Sequence, residues 1–409
     1  MNLRNKLKIV NDPIYGFITI PSTLIFDLLE HPYFQRLRRI SQMGMSYLVY
    51  PGAHHTRFHH ALGAMFLMQK AINTLRLKGI VISETEEEAL NTAILLHDIG
   101  HGPFSHAMEH SIVENISHEH ISLLFMENLN KQFDNLLALA ITIFKNEYHR
   151  KFLHQLISSQ LDMDRLDYLR RDSFYTGVSE GAINSERLIA MLNVKDDSLV
   201  VEGKGIYSVE KFIVARRLMY WQVYLHKTGL VAEQLLTRVL KRAKELTQVG
   251  IVLPASDSLS FFLKNHISLE DFSEEILDTF SKLDDYDIIS AMKSWVNSED
   301  FVLSNLSKML LNRDLLKIKL KSKPFTSEKL IKKKNIVMET YKLSESEASY
   351  FVFEGEISNQ AYNMNKETIN LLTKTGKVVD VAKASDQLNL EALSKEVVKY
   401  YLCYPKTNY

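Results

Sequence analysis

The 409-residue chain contains a single cysteine, Cys403. An internal disulfide framework and a metal site built from thiolates are therefore excluded, and a reducing compartment is favoured. No apolar run approaches the ~20 residues that cross a bilayer, and no apolar signal-peptide core follows the first residues. These absences predict a soluble, cytoplasmic protein without a membrane segment.

Net charge is also missing, because Lys+Arg and Asp+Glu both number 49. The chain as a whole thus lacks the positive field typical of proteins that bind nucleic acid or anionic membranes, although a local basic pocket is compatible with this balance. No internal repeat or low-complexity segment is present. With 46% hydrophobic residues, the chain can bury a large core, and its length suggests two or three domains.

Apolar residues at three- and four-residue spacings dominate the chain to about residue 320. The spacings predict helices over residues 58–78, 85–100, 117–130, 133–145, 150–172, 184–193 and 207–248, with more helix between 257 and 316. Strand patterns lie around a turn at 11–16, a hairpin at 196–197, an alternating lysine run from 317, and residues 349–354, 377–381 and 399–404. The sequence therefore predicts a mainly α fold, with a helical-bundle core over residues 1–320 and a C-terminal α+β lobe over residues 321–409.

Histidine is concentrated in one part of the chain, since ten of the fifteen lie between His54 and His120. Within this window an apolar helix pattern runs into adjacent His97 and Asp98, and a Gly-Pro pair ends regular structure just beyond His101. Adjacent helical side chains diverge by ~100°, so the pair can share a metal ion only at a helix end, with other helices supplying further ligands. For the dipeptide alone, a helix cap is the commoner explanation.

Candidate partners lie in two other helical stretches. His60 opens an amphipathic helix, and Asp164 lies where charged residues recur inside an apolar frame. Two imidazoles and two carboxylates form a mixed nitrogen and oxygen site suited to Mn²⁺, Fe²⁺, Ni²⁺, Mg²⁺ or Zn²⁺. Two coordination positions would stay open, which suits hydrolysis because a bound water can lose its proton near neutral pH. The other histidines of the window are interpreted as loop or surface residues: His54, His55, His59, His110 and His120.

Several segments, in the same order over roughly residues 8–230, resemble the HD superfamily of metal-dependent phosphohydrolases. They are Asn11-Asp-Pro-Ile-Tyr-Gly, Phe34-Gln-Arg-Leu-Arg, Gln42-Met-Gly, Pro51–Gly63, His97–His106, His118-Glu and Asp164–Asp172. The chain is most similar to the deoxynucleoside triphosphate triphosphohydrolases, which include the animal SAM-and-HD-domain enzymes and bacterial dGTPase-like relatives.

This resemblance implies roles for individual residues. It implies four metal ligands: His60, His97, Asp98 and Asp164. It implies a catalytic group around the α-phosphate: His101, His106, His118 and Glu109. Within this group His106 or His118 would transfer the proton, and Glu109 stands where the family usually has an aspartate. It implies a substrate-binding set: Gln42, Met43, Arg57, Arg165, Tyr168, Asp172, Arg216 and Tyr224. Of these, Gln42 and Asp172 would hold the deoxyribose 3′-hydroxyl.

The resemblance also bears on partners. It implies a homo-oligomer, either a dimer or a tetramer, and a nucleotide activator. Lys8, Asn11 and Arg38 match activator-binding residues only loosely, and Glu30 replaces an aspartate that reads guanine, so the need for an activator is left open. Tyr220 stands where the animal enzymes have a histidine, which affects the contacts to the base.

The leading hypothesis is a dNTP triphosphohydrolase, with dGTP a candidate substrate, that releases deoxynucleoside and tripolyphosphate. One alternative is an HD phosphohydrolase that acts on another nucleotide or phosphoester. A second alternative is a non-catalytic nucleotide-sensing protein, which the large C-terminal lobe favours and the intact ligand set disfavours.

Overall fold

The computed structural model describes residues 8–104, 106–109, 111–113, 116–364, 368–385 and 390–406. The fold is mainly α-helical with small sheets, which confirms the predicted class. The first helices in chain order are α1 (Thr23–Glu30), α2 (Pro32–Gln35), α3 (Arg57–Leu77), α4 (Glu84–Leu96), α5 (His106–Glu109), α6 (His118–Gln132), α7 (Ala138–Phe144), α8 (Lys151–Ile157), α9 (Met163–Thr176) and α10 (Ser185–Ala190). They are followed by α11 (Ile206–Met219), α12 (Lys227–Gln248), α13 (Asp257–Lys264), α14 (Glu274–Ser281), α15 (Asp285–Trp295), α16 (Phe301–Leu311), α17 (Ser327–Tyr341), α18 (Glu345–Ala348), α19 (Val381–Ala384) and α20 (Leu390–Leu393).

The strands form three small sheets. They are β1 (Ile9–Asp12), β2 (Gly16–Thr19), β3 (Leu192–Lys195), β4 (Ser198–Glu202), β5 (Lys317–Lys321), β6 (Phe353–Asn359), β7 (Asn370–Leu372), β8 (Val378–Asp380) and β9 (Val397–Tyr404). The orders are β1-β2, β3-β4-β7-β8 and β5-β9-β6, and the pair β4-β7 is parallel. The C-terminal strands β7 and β8 thus extend the hairpin β3-β4 of the core, and the domain boundary near residue 320 stays a prediction.

Helix α3 lies in the centre of the core and packs against α4 and α9. Thr56 and His59 cap its first turn reciprocally, which satisfies backbone groups that the helix itself leaves unpaired. From Ala61 to Met65 every residue of α3 is buried. These five consecutive residues cover all sides of the helix, so this part of α3 is surrounded by other elements and provides the fixed reference to which the site residues are attached.

Two of the predicted helices are interrupted. The helix predicted over 150–172 divides into α8 and α9, because Asp162 adopts an extended conformation and caps α9 with its side chain. The helix predicted over 207–248 is divided by a π-helical turn at Tyr220–Tyr224 and by extended His226. Apolar residues face the same core on both sides of each break, so the spacing alone did not reveal the breaks.

The hairpin predicted at Asp196 and Asp197 is confirmed, and both residues have positive φ angles of 50° and 58°. Such angles are those of the tight hairpin turns that Asp and Asn tolerate. The strand predicted from residue 349 starts later, at Phe353, because the capping box of Ser344 and Glu347 begins α18 just before it. Among the described residues, no helix is both long and apolar enough to cross a membrane.

Candidate metal and nucleotide site

The adjacent histidine and aspartate lie where α4 ends. The helix stops just before His97, and the following residues form turns rather than the continued helix that the spacing predicted. This turn lies directly against α6, because a Cβ on Gly100 would come within 2.2 Å of the backbone nitrogen of Ser122. The fully buried guanidinium of Arg36 donates to the carbonyl of His101 at 2.8 and 2.9 Å. The turn is therefore held rigidly from two sides.

Four of the predicted side chains meet beside this turn. The Nε2 atoms of His60 and His97 lie 3.1 and 3.5 Å from Oδ1 of Asp164. Asp98 lies beside them, with Oδ1 3.5 Å from Nε2 of His97 and Oδ2 3.9 Å from Nε2 of His60. Donor atoms bound to one ion at ~2.1 Å are about 3.0 to 3.4 Å from one another. The four side chains, from α3, the end of α4 and the start of α9, could hold one divalent cation.

The surroundings of His60 test this fit. Its Nδ1 lies 2.8 Å from Oδ2 of Asp167, while its buried Nε2 has no hydrogen bond of ordinary geometry to any described residue. Burial lowers the pKa of His60, but the carboxylates of Asp164 and Asp167 outweigh burial and raise it to about 10. A buried nitrogen that attracts a proton this strongly is suited to binding a cation, so the residues fit a metal.

A second group of side chains adjoins the first. His101 and His118 stack with ring centroids 3.8 Å apart, and Nδ1 of His118 lies 2.9 Å from Oε1 of Glu109. Asp98, His101 and His118 offer donor atoms within 4.8 Å of one another, so Asp98 joins the two groups. Arg57 donates to Oδ2 of Asp98 at 2.5 Å.

The electrostatics of this second group set the charge of one imidazole. Burial, with the charge of Arg57, lowers the pKa of His101 to about 3 despite the adjacent Asp98. The imidazole of His101 is therefore neutral near pH 7. Predicted His106 begins α5, but its side chain lies outside the described part of the structure.

The predicted substrate residues lie along α9 and the elements that face it. The hydroxyl of Tyr224 donates to Oδ2 of Asp172 at 2.7 Å, and Nε2 of His55 lies 2.7 Å from Oδ1. Tyr168 meets Tyr224 edge to face, with centroids 6.1 Å apart. Three predicted residues have buried polar atoms without a hydrogen bond among the described residues: Gln42 (Oε1), Arg165 (Nε) and Arg216 (Nε). Predicted Met43 is partly buried against the core.

Sequence reasoning missed several residues of the site. His55 was interpreted as a loop or surface histidine, yet it is 1% exposed and pairs with Asp172. Asp167 and Arg171 were not singled out, although their four-residue spacing on one helix is that of an ion pair. Burial of Arg36, which supports the turn after His97, carries no local sequence signal.

A helical core in which histidines and aspartates converge on one buried point defines a metal-dependent hydrolase of the helical type. Comparison with known proteins agrees with this class. The family described as HD domain matches residues 57–172, and the HD associated region matches residues 183–252. A solved phosphohydrolase from Bacteroides thetaiotaomicron is 52% identical, with a TM-score of 0.95 over 98% of this chain and 100% of that chain.

Two relatives extend the comparison. Protein YwfO of Bacillus subtilis is 31% identical over 98% of this chain and 92% of its own length. The deoxynucleoside triphosphate triphosphohydrolase SAMHD1 homologue of Dictyostelium discoideum is 30% identical over 60% of this chain, which spans 51% of that relative. The chain belongs to the HD superfamily of phosphohydrolases, and a divalent metal ion is its cofactor.

Proposed function

We propose that the protein hydrolyses deoxynucleoside triphosphates to deoxynucleoside and tripolyphosphate, at a metal held by His60, His97, Asp98 and Asp164. One observation carries the proposal: His60 on α3, His97 just after α4 and Asp164 on α9 offer donor atoms within 4.8 Å of one another. Asp98 adds an oxygen 3.5 Å from Nε2 of His97 and another 3.9 Å from Nε2 of His60. The similarity to a relative named as a dNTP triphosphohydrolase supports the substrate class.

The residues beside the metal ligands suit phosphoryl chemistry. A divalent cation in this position supplies Lewis-acid activation of water and neutralises charge on the phosphate oxygens. Glu109 orients His118 by accepting from Nδ1, so that the imidazole can pass a proton at Nε2 to the leaving 5′-oxygen. Arg57 and His101 flank Asp98 and would contact the non-bridging oxygens.

The nucleotide would lie along α9. Asp164, Tyr168 and Asp172 follow one another at four-residue intervals, so one face of the helix leads from the metal ligand to Asp172 over ~12 Å. Both oxygens of Asp172 already accept a hydrogen bond, but a carboxylate has further lone pairs that a sugar 3′-hydroxyl can use. The backbone nitrogen of Gln42 donates to the carbonyl of His55. The side-chain amide oxygen of Gln42 is buried and has no hydrogen-bond partner in the described part of the structure. A sugar hydroxyl donating to this oxygen would satisfy it.

The test is a double variant, His97→Ala with Asp98→Ala, assayed for bound metal and for turnover of each dNTP with Mn²⁺. We expect the variant to lose both. His120→Ala is the matched control, because His120 lies in the same histidine-rich window but is exposed and bonds only to Ser117 among the described residues. Full turnover by the double variant would overturn the proposal. Competition by ribonucleotides or monophosphates would favour the alternative of another phosphoester substrate.

The partners follow from the same proposal. We expect a homo-oligomer, a dimer or tetramer, and a monomer at micromolar concentration by light scattering would contradict this. An activating nucleotide would bind near Lys8 and Arg38, whose cationic groups now lie over the rings of Phe26 and Phe58 at 3.3 and 3.6 Å. Stimulation of one dNTP's hydrolysis by a second dNTP would reveal it.

A further inference from the structure

A chain of buried polar groups leads from the N-terminal hairpin to His60. Nδ1 of His60 lies 2.8 Å from Oδ2 of Asp167. Arg171 donates from Nε and Nη2 to the two oxygens of Asp167 at 2.9 and 3.0 Å, and from Nη1 to Oδ2 of Asp12 at 2.8 Å. The side chains of all four residues are at most 2% exposed. The chain therefore crosses the interior without contact with bulk water.

The far end of this chain is anchored in the turn between β1 and β2. Oδ1 of Asp12 accepts from the backbone nitrogens of Ile14 and Tyr15 at 2.8 and 2.9 Å. One carboxylate oxygen thus fixes the turn, while the other oxygen faces Arg171. The position of the hairpin and the position of the arginine are set by the same side chain.

The charged side chains of this buried row of polar groups act on His60. Two carboxylates and one guanidinium have a formal net charge of minus one, and the carboxylate of Asp167 is the one that contacts Nδ1 of His60. A carboxylate at this nitrogen keeps the proton on Nδ1 and leaves Nε2 as the ligand atom, which increases its basicity. Arg171 compensates Asp167 and fixes it with two parallel hydrogen bonds, so Asp167 has one orientation available.

A glycine on α3 provides the space for this arrangement. Gly63 follows His60 by one turn, and a Cβ there would lie 2.0 Å from Oδ1 of Asp167 and 2.2 Å from Nη2 of Arg171. Glycine inside a helix costs about 1 kcal/mol relative to alanine. Its presence at this position is explained by the close approach of the carboxylate and guanidinium to α3.

We propose that Asp167, Arg171 and Asp12 are positioning residues for His60, and that docking of the β1-β2 hairpin is thereby coupled to metal affinity. The inference rests on the proposed function in so far as His60 is a metal ligand. Coupling of this kind is reciprocal. Metal binding must therefore also stabilise the docked hairpin.

The experiment measures Mn²⁺ affinity of the metal-stripped full chain for the wild type and for Asp12→Asn, Gly63→Ala and Asp167→Asn. Loss of such an outer partner typically weakens metal binding by about 10- to 100-fold, and we expect this for Asp167→Asn and Gly63→Ala. Asp12→Asn keeps the turn-capping oxygen but turns a donor toward Arg171, and we expect about threefold weaker binding because this contact lies two residues further from His60.

Asp300→Asn is the matched control. Like Asp12, Asp300 accepts from a local backbone nitrogen, that of Leu303, and from an arginine, Arg242. It caps α16, in a part of the chain that holds none of the proposed ligands. This variant should unfold at a lower temperature with unchanged Mn²⁺ affinity. Amide hydrogen exchange of residues 9–19 supplies a second readout, in which Mn²⁺ should protect the wild-type hairpin and protect the hairpin of Asp12→Asn less.

His60→Ala separates the two ways in which the account can fail. If His60→Ala binds Mn²⁺ as tightly as the wild type, the proposed ligand set is wrong and the inference falls with it. If His60→Ala loses the metal while Asp12→Asn and Gly63→Ala bind it as Asp300→Asn does, the positioning chain is wrong and the ligand set stands. Should Asp167→Asn fail to fold, Asp12→Asn, Gly63→Ala and the exchange measurement still decide between these outcomes.

Discussion

The proposed site has two halves, a metal half around His60, Asp98 and Asp164 and a nucleotide half around Gln42, Arg165 and Arg216. The halves differ in how firmly other side chains of the protein hold their polar groups. In the metal half, each of five residues contacts at least two other polar side chains: His60, Asp98, Asp164, Asp167 and Arg171. Among their buried polar atoms in the described structure, Nε2 of His60 has no hydrogen bond of ordinary geometry, and it lies 3.1 Å from Oδ1 of Asp164. In the nucleotide half, two buried polar atoms lack a hydrogen bond among the described residues: Oε1 of Gln42 and Nε of Arg216. Nε of Arg165 also has no hydrogen bond of ordinary geometry, but it lies 3.5 Å from Oδ2 of Asp162.

This difference indicates what each half is built to do. A buried polar side chain held by two partners has one orientation, so the metal half is organised before any ligand arrives. An unsatisfied buried group costs about 1 to 3 kcal/mol, a cost that a bound ligand can recover. The fold therefore fixes the metal half and leaves unused hydrogen-bonding capacity in the nucleotide half, where the proposed substrate would bind.

The largest expected effect comes from removing a group of the metal half. Asp164→Ala deletes the oxygen that lies 3.1 Å from Nε2 of His60 and 3.5 Å from Nε2 of His97. We expect loss of bound metal and a fall in turnover of at least about 10³-fold. Elemental analysis and a dNTPase assay measure both. Full metal content with normal turnover would show that the two halves do not differ as described.

A smaller effect is expected where a residue acts through another. Glu109→Gln weakens the hold on His118, so we expect kcat to fall about 10- to 100-fold with KM and metal content unchanged. The exposed neighbour Glu119 offers a control, and Glu119→Gln should leave kcat within twofold of the wild type. A loss of metal in Glu109→Gln would instead make Glu109 part of the metal half.

The nucleotide half predicts the opposite relation between stability and activity. Gln42→Met removes an unsatisfied buried amide, so we expect unchanged or higher stability, by up to about 1 kcal/mol, together with a KM raised about tenfold. Gln155→Met is the control, because the Gln155 amide already accepts from Leu199. It should lose stability without affecting KM. Urea unfolding and initial-rate kinetics report both quantities, and destabilised Gln42→Met with normal KM would contradict the comparison.

An effect on stability alone is expected for the loop that carries Gln42. Buried Asp285 accepts from the backbone nitrogens of Ser41 and Phe104, and burial raises its pKa to about 6, with Asp284 adding to the shift. The folded state therefore binds this proton more tightly than the unfolded state, whose pKa is ~3.9. Its contribution is fully present below pH ~3.9 and is lost as the pH rises through about 6.

We expect this loss to be about 2 kcal/mol of unfolding free energy between pH 4 and 6.5. Urea unfolding of the wild type and of Asp285→Asn at both values measures it. The variant should lack this part of the pH dependence. Equal pH dependence in the two proteins would mean that Asp285 titrates normally.

Sequence reasoning anticipated the metal half better than its supports. Histidine clustering and the apolar helix that runs into His97 are local signals, and the structure brings His97 together with His60 and Asp164 as predicted. The pairing of His55 with Asp172 spans 117 positions and depends on how the loop before α3 packs against α9. No local pattern distinguishes an inward-facing histidine from an exposed one, so this residue was missed.

The helix boundaries show the same limit. Spacing predicted the helical class and the hairpin at residues 196–197, but it joined α8 to α9 across Asp162. That cap is decisive for the site because it starts the helix that carries Asp164. An aspartate in a charged stretch is compatible with both a cap and a helix interior, and only the tertiary contacts decide between them.

Product analysis tests the central claim most directly. Metal-stripped protein is reloaded with Mn²⁺, incubated with each dNTP and then with all four together, and the products are separated by anion exchange. The account predicts deoxynucleoside and tripolyphosphate in equal amounts, because the attack falls on the α-phosphorus. Orthophosphate or pyrophosphate, or no product from the mixture, would contradict it.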